Sequence, residues 1–303
     1  MSNHRFSASD VPDFSGRTVV VTGANSGIGE IAAGVLAAKG AHVILAVRDT
    51  AKGEAAAKKM DGETEVRRID LSDLTSVRAF AEGLAGRIDV LINNAGIMAV
   101  PKRATAQGYE WQFGTNHLGH FALTNLLLPR LTDRVVTLSS TAHEIGRIDL
   151  DDPNFEHRRY TRWGAYGQSK LANLMFAYEL QRKLDEAGST LKSYACHPGY
   201  ASTNLQSHTG SRLQNAVMWF GNRTVAHSAQ MGALPTLLAA SGDEAPGSLI
   251  GPDGFRQFRG HPGVVESTRA SRDEAVAAGL WQLSEQLTGV RFPLEQLSAV
   301  ASA

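Results

Sequence analysis

Tyr166 and Lys170 stand four positions apart in Tyr166-Gly167-Gln168-Ser169-Lys170, where a long helical pattern from Ala165 to Leu184 opens. Residues at i and i+4 share one helical face, so the phenol and the ammonium can lie together. A free phenol has a pKa of about 10 and exchanges protons poorly at neutral pH. A neighbouring cation favours the phenolate and brings that pKa toward the working range. The pair can therefore act as an acid/base couple, although Tyr/Lys neighbours also arise by chance on exposed helices.

Ser139 and Ser140 end the apolar run Arg134-Val135-Val136-Thr137-Leu138. A hydroxyl at a strand end can hydrogen-bond a substrate oxygen as charge develops on it. One serine would do this; the other would cap or pack. Asn116 lies in Phe113-Gly114-Thr115-Asn116-His117-Leu118-Gly119-His120, inside a predicted helix spanning Gln107–Leu128. Asparagine is a poor helix former; here it could kink the helix and hold a water beside Lys170. His117 and His120 read as packing or surface residues. No carboxylate or cysteine cluster joins them at ligand spacing, so no metal is expected. His197-Pro198-Gly199 follows another apolar run, and Thr203 comes soon after.

The elements that must position these groups begin with Thr22-Gly23-Ala24-Asn25-Ser26-Gly27-Ile28-Gly29. The spacing is G-x-x-x-G-x-G rather than G-x-G-x-x-G. The physical demand is the same: a tight turn, a backbone close enough to touch a pyrophosphate, and a helix N-terminus aimed at it. Ile28 would plug the core beneath the turn. The next strand runs Ile44-Leu45-Ala46-Val47-Arg48. An acid here would bind a ribose 2′-hydroxyl and repel a 2′-phosphate. Val47 stands in its place and Arg48 follows, which favours NADP(H) over NAD(H). Asp49 is the counter-signal, since it could reach a ribose or neutralise Arg48, and Arg48 could equally be a solvated surface residue. Asp70-Leu71 is placed to meet the adenine. Asn93-Asn94-Ala95-Gly96 offers small residues for close cofactor approach and amides to tie strands, though a simple turn reads the same way. Pro198, Gly199 and Thr203 fit a loop over the nicotinamide. With a nicotinamide in place, Lys170 could also reach its ribose hydroxyls.

Strands are predicted at Arg17–Thr22, Ala41–Ala46, Glu65–Ile69, Ile88–Ile92, Arg134–Leu138 and Leu191–Cys196. Helices are predicted at Gly27–Lys39, Thr50–Met60, Leu74–Leu84, His227–Ala240 and Ser271–Leu287, with an amphipathic stretch near Leu213–Phe220. Apolar strands alternating with helices imply an α/β fold, a doubly wound parallel sheet of Rossmann type in three α/β/α layers. The expected organisation is a tail over residues 1–14 and a single domain over 15–303, with a substrate loop at about 200–225.

The chain has 303 residues, 43% of them hydrophobic, and equal numbers, 30 each, of Lys+Arg and Asp+Glu. Zero formal charge gives no support for nucleic-acid binding. Cys196 is the single cysteine, so no internal disulfide framework exists and a reducing compartment suits the chain. Met1–Phe14 lacks an apolar targeting segment, and no run approaches membrane-span length. A cytoplasmic protein without an integral membrane segment is expected; association through a surface loop stays open.

The order TGxxxGIG, Asp-Leu, NNAG, helical Asn, Ser-Ser, YxxxK and PG resembles the short-chain dehydrogenase/reductase family over about Gly16 to Ala240. The resemblance implies a catalytic tetrad of Asn116, Ser140, Tyr166 and Lys170, with the second serine at the catalytic position. It implies cofactor contacts from Gly23, Asn25, Ser26, Gly27, Ile28, Gly29, Arg48, Asp70, Leu71, Asn93, Ala95, Gly96, Tyr166, Lys170, Pro198, Gly199 and Thr203. Ser140 and Tyr166 are farther apart than is usual in the family, which implies an insertion near Arg147–Arg162 above the sheet. Ala142-His143, Asp149–Asn154, Ser169–Asn173, His197–Gly199 and Leu280–Val290 resemble the retinol-dehydrogenase-like branch, which includes the WW-domain-containing oxidoreductase and is close to protochlorophyllide reductase.

The implied reaction is NADP(H)-dependent interconversion of a hydrophobic alcohol and its aldehyde or ketone, with Tyr166 as acid/base. A redox-sensing protein that binds cofactor without turnover is the alternative. Light-driven reduction of a chlorophyll precursor would need a substrate-site cysteine, whereas Cys196 reads as core. Met98, Ile145, Trp163, Leu205, Met218, Trp219 and Phe220 are candidate substrate walls or simply core residues, and Ser202–Arg223 is a candidate lid. The helices Gln107–Leu128 and Ala165–Leu184 resemble the family's usual dimer face. That face is open to a homodimer or homotetramer, with the long C-terminus able to alter or block it; the sequence leaves the oligomeric state undetermined.

Overall fold

The computed structural model describes residues 5–199 and 228–301. Within them an eight-stranded sheet runs in the order β3-β2-β1-β4-β5-β6-β7-β8. The strands are β1 Thr18–Thr22, β2 His42–Val47, β3 Thr64–Arg68, β4 Ile88–Asn93, β5 Leu131–Leu138, β6 Lys192–Cys196, β7 Leu249–Pro252 and β8 Pro262–Val264. All neighbouring pairs are parallel except β7 with β8, whose register sets Ile250 opposite Val264 and Pro252 opposite Pro262.

Alternation along the strands feeds two cores. Val19, Val21, Val43, Leu45, Val90 and Ile92 face one way, toward α1 (Gly27–Ala38) and the helix Ala229–Ser241. Val20, Ile44, Ala46, Leu91 and Val135 face the other, toward α3 (Leu74–Gly83). Successive strand side chains point to opposite faces, and burial on both faces explains the near-continuous apolar runs. The short helix α2 is Thr50–Ala57. On the second face, Trp111–Phe113, a π-helical stretch Gly114–Leu118 and Gly119–Leu127 run on as one helix, α4. Beside it lies α5, Arg162–Glu186. The later helices are α6 Ala229–Ser241, α7 Glu274–Thr288 and α8 Leu294–Ala301.

Three outcomes depart from the sequence expectations. The edge pair β7–β8 and helix α8 were not foreseen: the two strands are four and three residues long and carry Pro and Gly, which suit sheet edges but read as loop. The predicted helix from Gln107 begins only at Trp111, because Glu110 caps it, its carboxylate accepting from the N–H of Gln112 and Phe113. The polar N-terminal segment also joins the fold at its end, since Val11 and Phe14 are buried against α1 and the sheet. The predicted stretch Leu213–Phe220 and the candidate lid Ser202–Arg223 lie outside the described residues. Among the described residues, no helix is long and apolar enough to cross a membrane.

Candidate active site

Parallel strands bring the ends of β1, β4, β5 and β6 to one edge of the sheet, where ligands bind in this architecture. At β1 the chain turns through Gly23 (φ 68°) and Gly27 (φ 60°) into α1. A Cβ on Gly29 would collide with the Asn94 amide and lie 2.7 Å from the Gly23 carbonyl. Ile28 is buried in the core below. Asn25 and Ser26 are half-buried, and Ser26 at the N-cap makes no side-chain capping bond. The first N–H groups of α1 are therefore left for another acceptor. A tight glycine turn opening on uncapped helical donors fits a dinucleotide pyrophosphate.

Arg48 is exposed just beyond β2. The neighbouring Asp49 is engaged elsewhere: it caps α2, accepting from Lys52 N at 3.1 Å, and pairs with Lys52 Nζ at 3.3 Å. Asp70 is also occupied at one oxygen, where Oδ1 accepts from Ser72 N at 3.0 Å and from the Ser72 hydroxyl at 2.6 Å. Leu71 is buried, and its carbonyl crowds Gly119 of α4.

After β4, Asn94 ties strands as expected, donating from Nδ2 to Thr22 O at 2.7 Å. Asn93 ties β4 to β5 and also reaches a helix, its Nδ2 donating to Thr137 Oγ1 at 3.5 Å and to Thr124 Oγ1 at 2.9 Å. Ala95 N donates to Thr22 Oγ1 at 3.0 Å. A Cβ on Gly96 would lie 3.3 Å from Asn116 Oδ1 and 3.5 Å from Lys170 Nζ. Gly96 thus keeps the backbone close to two candidate catalytic side chains.

Asn116 is buried in the π-helical stretch and acts as a clamp. Its Oδ1 accepts from Ile97 N at 2.8 Å, and its Nδ2 donates to Ile97 O and to Ser169 Oγ, each at 2.9 Å. Its main-chain carbonyl meets His120 Nδ1 at 2.8 Å. The proton on His120 can be assigned from its other partner. Thr22 Oγ1 already accepts from Asn94 N and Ala95 N. Its own hydrogen goes to His120 Nε2 at 2.9 Å, nearer than the Ile92 carbonyl at 3.3 Å. His120 is therefore the Nδ1–H tautomer and links Asn116 to the end of β1. His117 is a packing residue, stacked on Phe113 and bonded to Ser284 of α7.

The two serines separate by task. Ser139 Oγ donates to Lys170 O at 2.8 Å, inside the fold. Ser140 Oγ accepts from Ala142 N at 3.2 Å, and the Ser140 side chain faces the Tyr166 phenol, where it favours the phenolate. Lys170 Nζ donates to Leu138 O at 3.1 Å and lies 5.8 Å from the Tyr166 ring centroid. The four tetrad candidates are thus brought together. Their electrostatics differ from expectation. Burial pushes the Tyr166 phenol up to about 12, opposed only by the Ser140 hydrogen bond. Burial likewise pushes Lys170 down to about 8. The lysine alone does not lower the phenol; desolvation outweighs it until further positive charge arrives.

Trp163 and Ile145, two candidate walls, are exposed beside this centre, and the Trp163 ring meets Tyr166 edge-on at 5.9 Å. Met98 is half-buried, while Leu205, Met218, Trp219, Phe220 and Thr203 lie outside the described residues. The segment expected as an insertion packs against α4 and α5: Asn154 accepts from Glu110 N, Gln112 donates to the Tyr160 hydroxyl, and Gln168 Nε2 donates to Pro153 O. Pro198 and Gly199 turn away from β6, with Gly199 at φ 68°.

Sequence reasoning missed the support layer: His120 and Thr22, Ser169, and Gln257 against His197. The i, i+4 spacing of Asn116 and His120 was the one local signal available for any of them.

The family model described as short chain dehydrogenase matches residues 17–214. Retinol dehydrogenase 13 of Homo sapiens is 43% identical over 298 residues, covering 92% of this chain and 86% of that protein. A crystal structure of an uncharacterized protein from Mycobacterium Paratuberculosis is 55% identical with a TM-score of 0.84, covering 96% of this chain and 100% of that one. A structure assigned as an NAD(P)-dependent gluconate 5-dehydrogenase from Beutenbergia cavernae, with bound NADP, is 25% identical with a TM-score of 0.61, covering 78% of this chain and 95% of that one. The chain belongs to the short-chain dehydrogenase/reductase family, in its retinol-dehydrogenase-like branch, and is an oxidoreductase acting on CH–OH donors.

Proposed function

We propose that the protein interconverts a hydrophobic alcohol and its aldehyde or ketone with NADP(H), using Tyr166 as the proton donor and acceptor. The observation that carries this reading is the convergence of Ser140, Tyr166, Lys170 and Asn116 on one sheet edge, with Lys170 Nζ 5.8 Å from the Tyr166 ring and both Lys170 Nζ and Asn116 against the Gly96 backbone. The nicotinamide, when bound, supplies or accepts the hydride. Ser140 holds the substrate oxygen against the Tyr166 hydroxyl. In carbonyl reduction Tyr166 gives that oxygen its proton, and a phenol held near pKa 12 is protonated and ready to donate across the neutral range. In alcohol oxidation Tyr166 must accept the proton, which calls for positive charge at the ring from Lys170 and an oxidised nicotinamide.

The exposed Trp163 and Ile145 support an apolar substrate, and the retinol dehydrogenase relatives point the same way. Arg48, with Asp49 turned to Lys52, supports NADP(H). Pro198, Gly199 and Thr203 complete the nicotinamide side in this reading, and the location is the cytoplasm. The test is a thermal-shift comparison of NADPH and NADH, followed by NADPH oxidation with hexanal, benzaldehyde and all-trans-retinal. The expected result is stronger stabilisation by NADPH and turnover of the apolar aldehydes. Arg48→Ala should then weaken NADPH binding by roughly ten- to a hundred-fold, the range for a hydrogen bond to a charged group, and leave NADH unchanged. Equal or stronger stabilisation by NADH overturns the role of Arg48.

A further inference from the structure

The loop between β7 and β8 holds a side chain with no role in the reaction as described. Gln257 ends the turn Phe255–Gln257. Both Arg256 (φ 49°) and Gln257 (φ 56°) are in the left-handed region, which residues with a side chain rarely adopt. Consecutive strained residues of this kind persist only where surrounding structure holds them, and they concentrate at functional sites.

The hydrogen bonds of Gln257 trace to the sheet edge without ambiguity. Gly199 N donates to His197 Nδ1 at 3.2 Å. A backbone N–H can only donate, so Nδ1 carries the lone pair and Nε2 carries the hydrogen. His197 Nε2 therefore donates to Gln257 Oε1 at 2.8 Å. Gln257 Nε2 in turn donates to Glu266 O at 2.9 Å, which fixes the amide orientation. His197 is fully buried. The backbone is shaped around this chain of bonds: a Cβ on Gly251 would lie 2.8 Å from the His197 Cδ2 atom, and one on Gly199 would lie 2.6 Å from Phe258 O. The Gly199 turn thus rests directly on the Gly254–Gly260 loop. It also lies one strand from the serines, since Ser139 N donates to Cys196 O at 2.7 Å.

We propose that Gln257 is a positioning residue for the nicotinamide end of the cofactor site, acting through His197 on the Pro198–Gly199 turn. The inference rests on the reading above, in which that turn flanks the nicotinamide. Cutting the Gln257 bonds should loosen the turn while leaving the pyrophosphate turn at Gly23–Gly29, three strands away in the sheet order, untouched.

The test uses Gln257→Leu and Gln257→Gly in the full chain. Leucine keeps bulk and removes both bonds; glycine removes both bonds but relieves the left-handed strain at φ 56°, so the two variants load the fold differently. Each variant is titrated with whichever of NADPH and NADH the unaltered protein binds more tightly, and with the matching adenosine half alone, 2′,5′-ADP or ADP. The fluorescence of the bound reduced nicotinamide is read in the same titration. Both variants should bind the whole cofactor about ten-fold more weakly, the scale of one net hydrogen bond, with a smaller fluorescence gain and adenosine-half affinity changed by less than about two-fold. Unchanged cofactor affinity and fluorescence in both variants overturns the proposal. Equal weakening of both ligands also overturns it, because Gln257 would then support the fold generally. If the unaltered protein binds neither cofactor, the underlying reading fails and this inference fails with it.

Discussion

At the scale of single residues, the candidate chemistry depends on charge held out of water. Lys170 is buried and pushed down to about 8, so carrying its charge at pH 7 costs folding free energy. A buried charge with no ion-pair partner carries a desolvation cost that an apolar side chain of similar volume avoids. Lys170→Met should therefore lower turnover by at least about a hundred-fold, the lower end for an acid/base contribution, while the thermal midpoint at pH 7 stays level or rises. A collapse of the midpoint would mean that Lys170 is chiefly structural. Ser139 and Ser140 show what spacing alone leaves open at this scale, since only the family resemblance singled out Ser140. Side chains alternate along a strand, and only the register of β5 against α5 decides which hydroxyl meets Lys170 O and which meets Tyr166. His120 shows the same limit, since its partner Thr22 is 98 positions away.

At the scale of elements, the turn from β1 into α1 sets two preferences against each other. Alanine is favoured over glycine inside a helix by about 1 kcal/mol. At position 29, however, a Cβ would strike the Asn94 amide and approach Gly23 O at 2.7 Å. The amide also supplies the 2.7 Å bond from Asn94 to Thr22 O. Overpacking of this kind costs about 1–3 kcal/mol, so the collision wins. Gly29→Ala should lower the thermal midpoint, at roughly 2–4 °C per kcal/mol for a chain of this class, and abolish the shift produced by NADPH. A raised midpoint with cofactor binding intact would contradict the tight-turn account. Long periodic elements such as α5 and the apolar strands were legible in the sequence. The β7–β8 edge was not, because strands this short and rich in Pro and Gly carry no periodicity to read. Gln257, on the loop between them, was hidden for that reason.

At the scale of the whole molecule, buried neutral histidines tie stability to pH. Burial lowers His117 to about 3, and His120 and His197 to about 4; His143 is lowered as well. An unfolded histidine titrates near 6.5. Between about pH 6.5 and 4 the unfolded chain therefore binds protons that the native chain refuses. The stability these groups contribute is present above pH 6.5 and is lost as pH falls, by about 1.4 kcal/mol per histidine per pH unit. Glu110, whose carboxyl burial holds above its usual range, opposes this as a single group. The thermal midpoint should fall steadily from pH 6.5 to 4.5; a flat profile would show that these rings are not kept neutral. Helix α7 adds a second global feature. Trp281 of α7 stacks on Phe176 of α5 at 5.6 Å and meets Phe121 of α4 edge-on at 4.9 Å. Helix α7 therefore covers part of the two-helix surface that resembles the family's usual dimer face. The sequence identified both helices and the long C-terminus as able to alter their use, but not which residues would lie on them.

The most direct test of the central claim is turnover and cofactor binding by Tyr166→Phe, measured together on an aldehyde that the unaltered protein reduces. The phenylalanine keeps the ring and loses only the hydroxyl that meets Ser140. Turnover should fall by about a hundred-fold or more, with cofactor affinity unchanged. Full turnover by Tyr166→Phe would contradict the account.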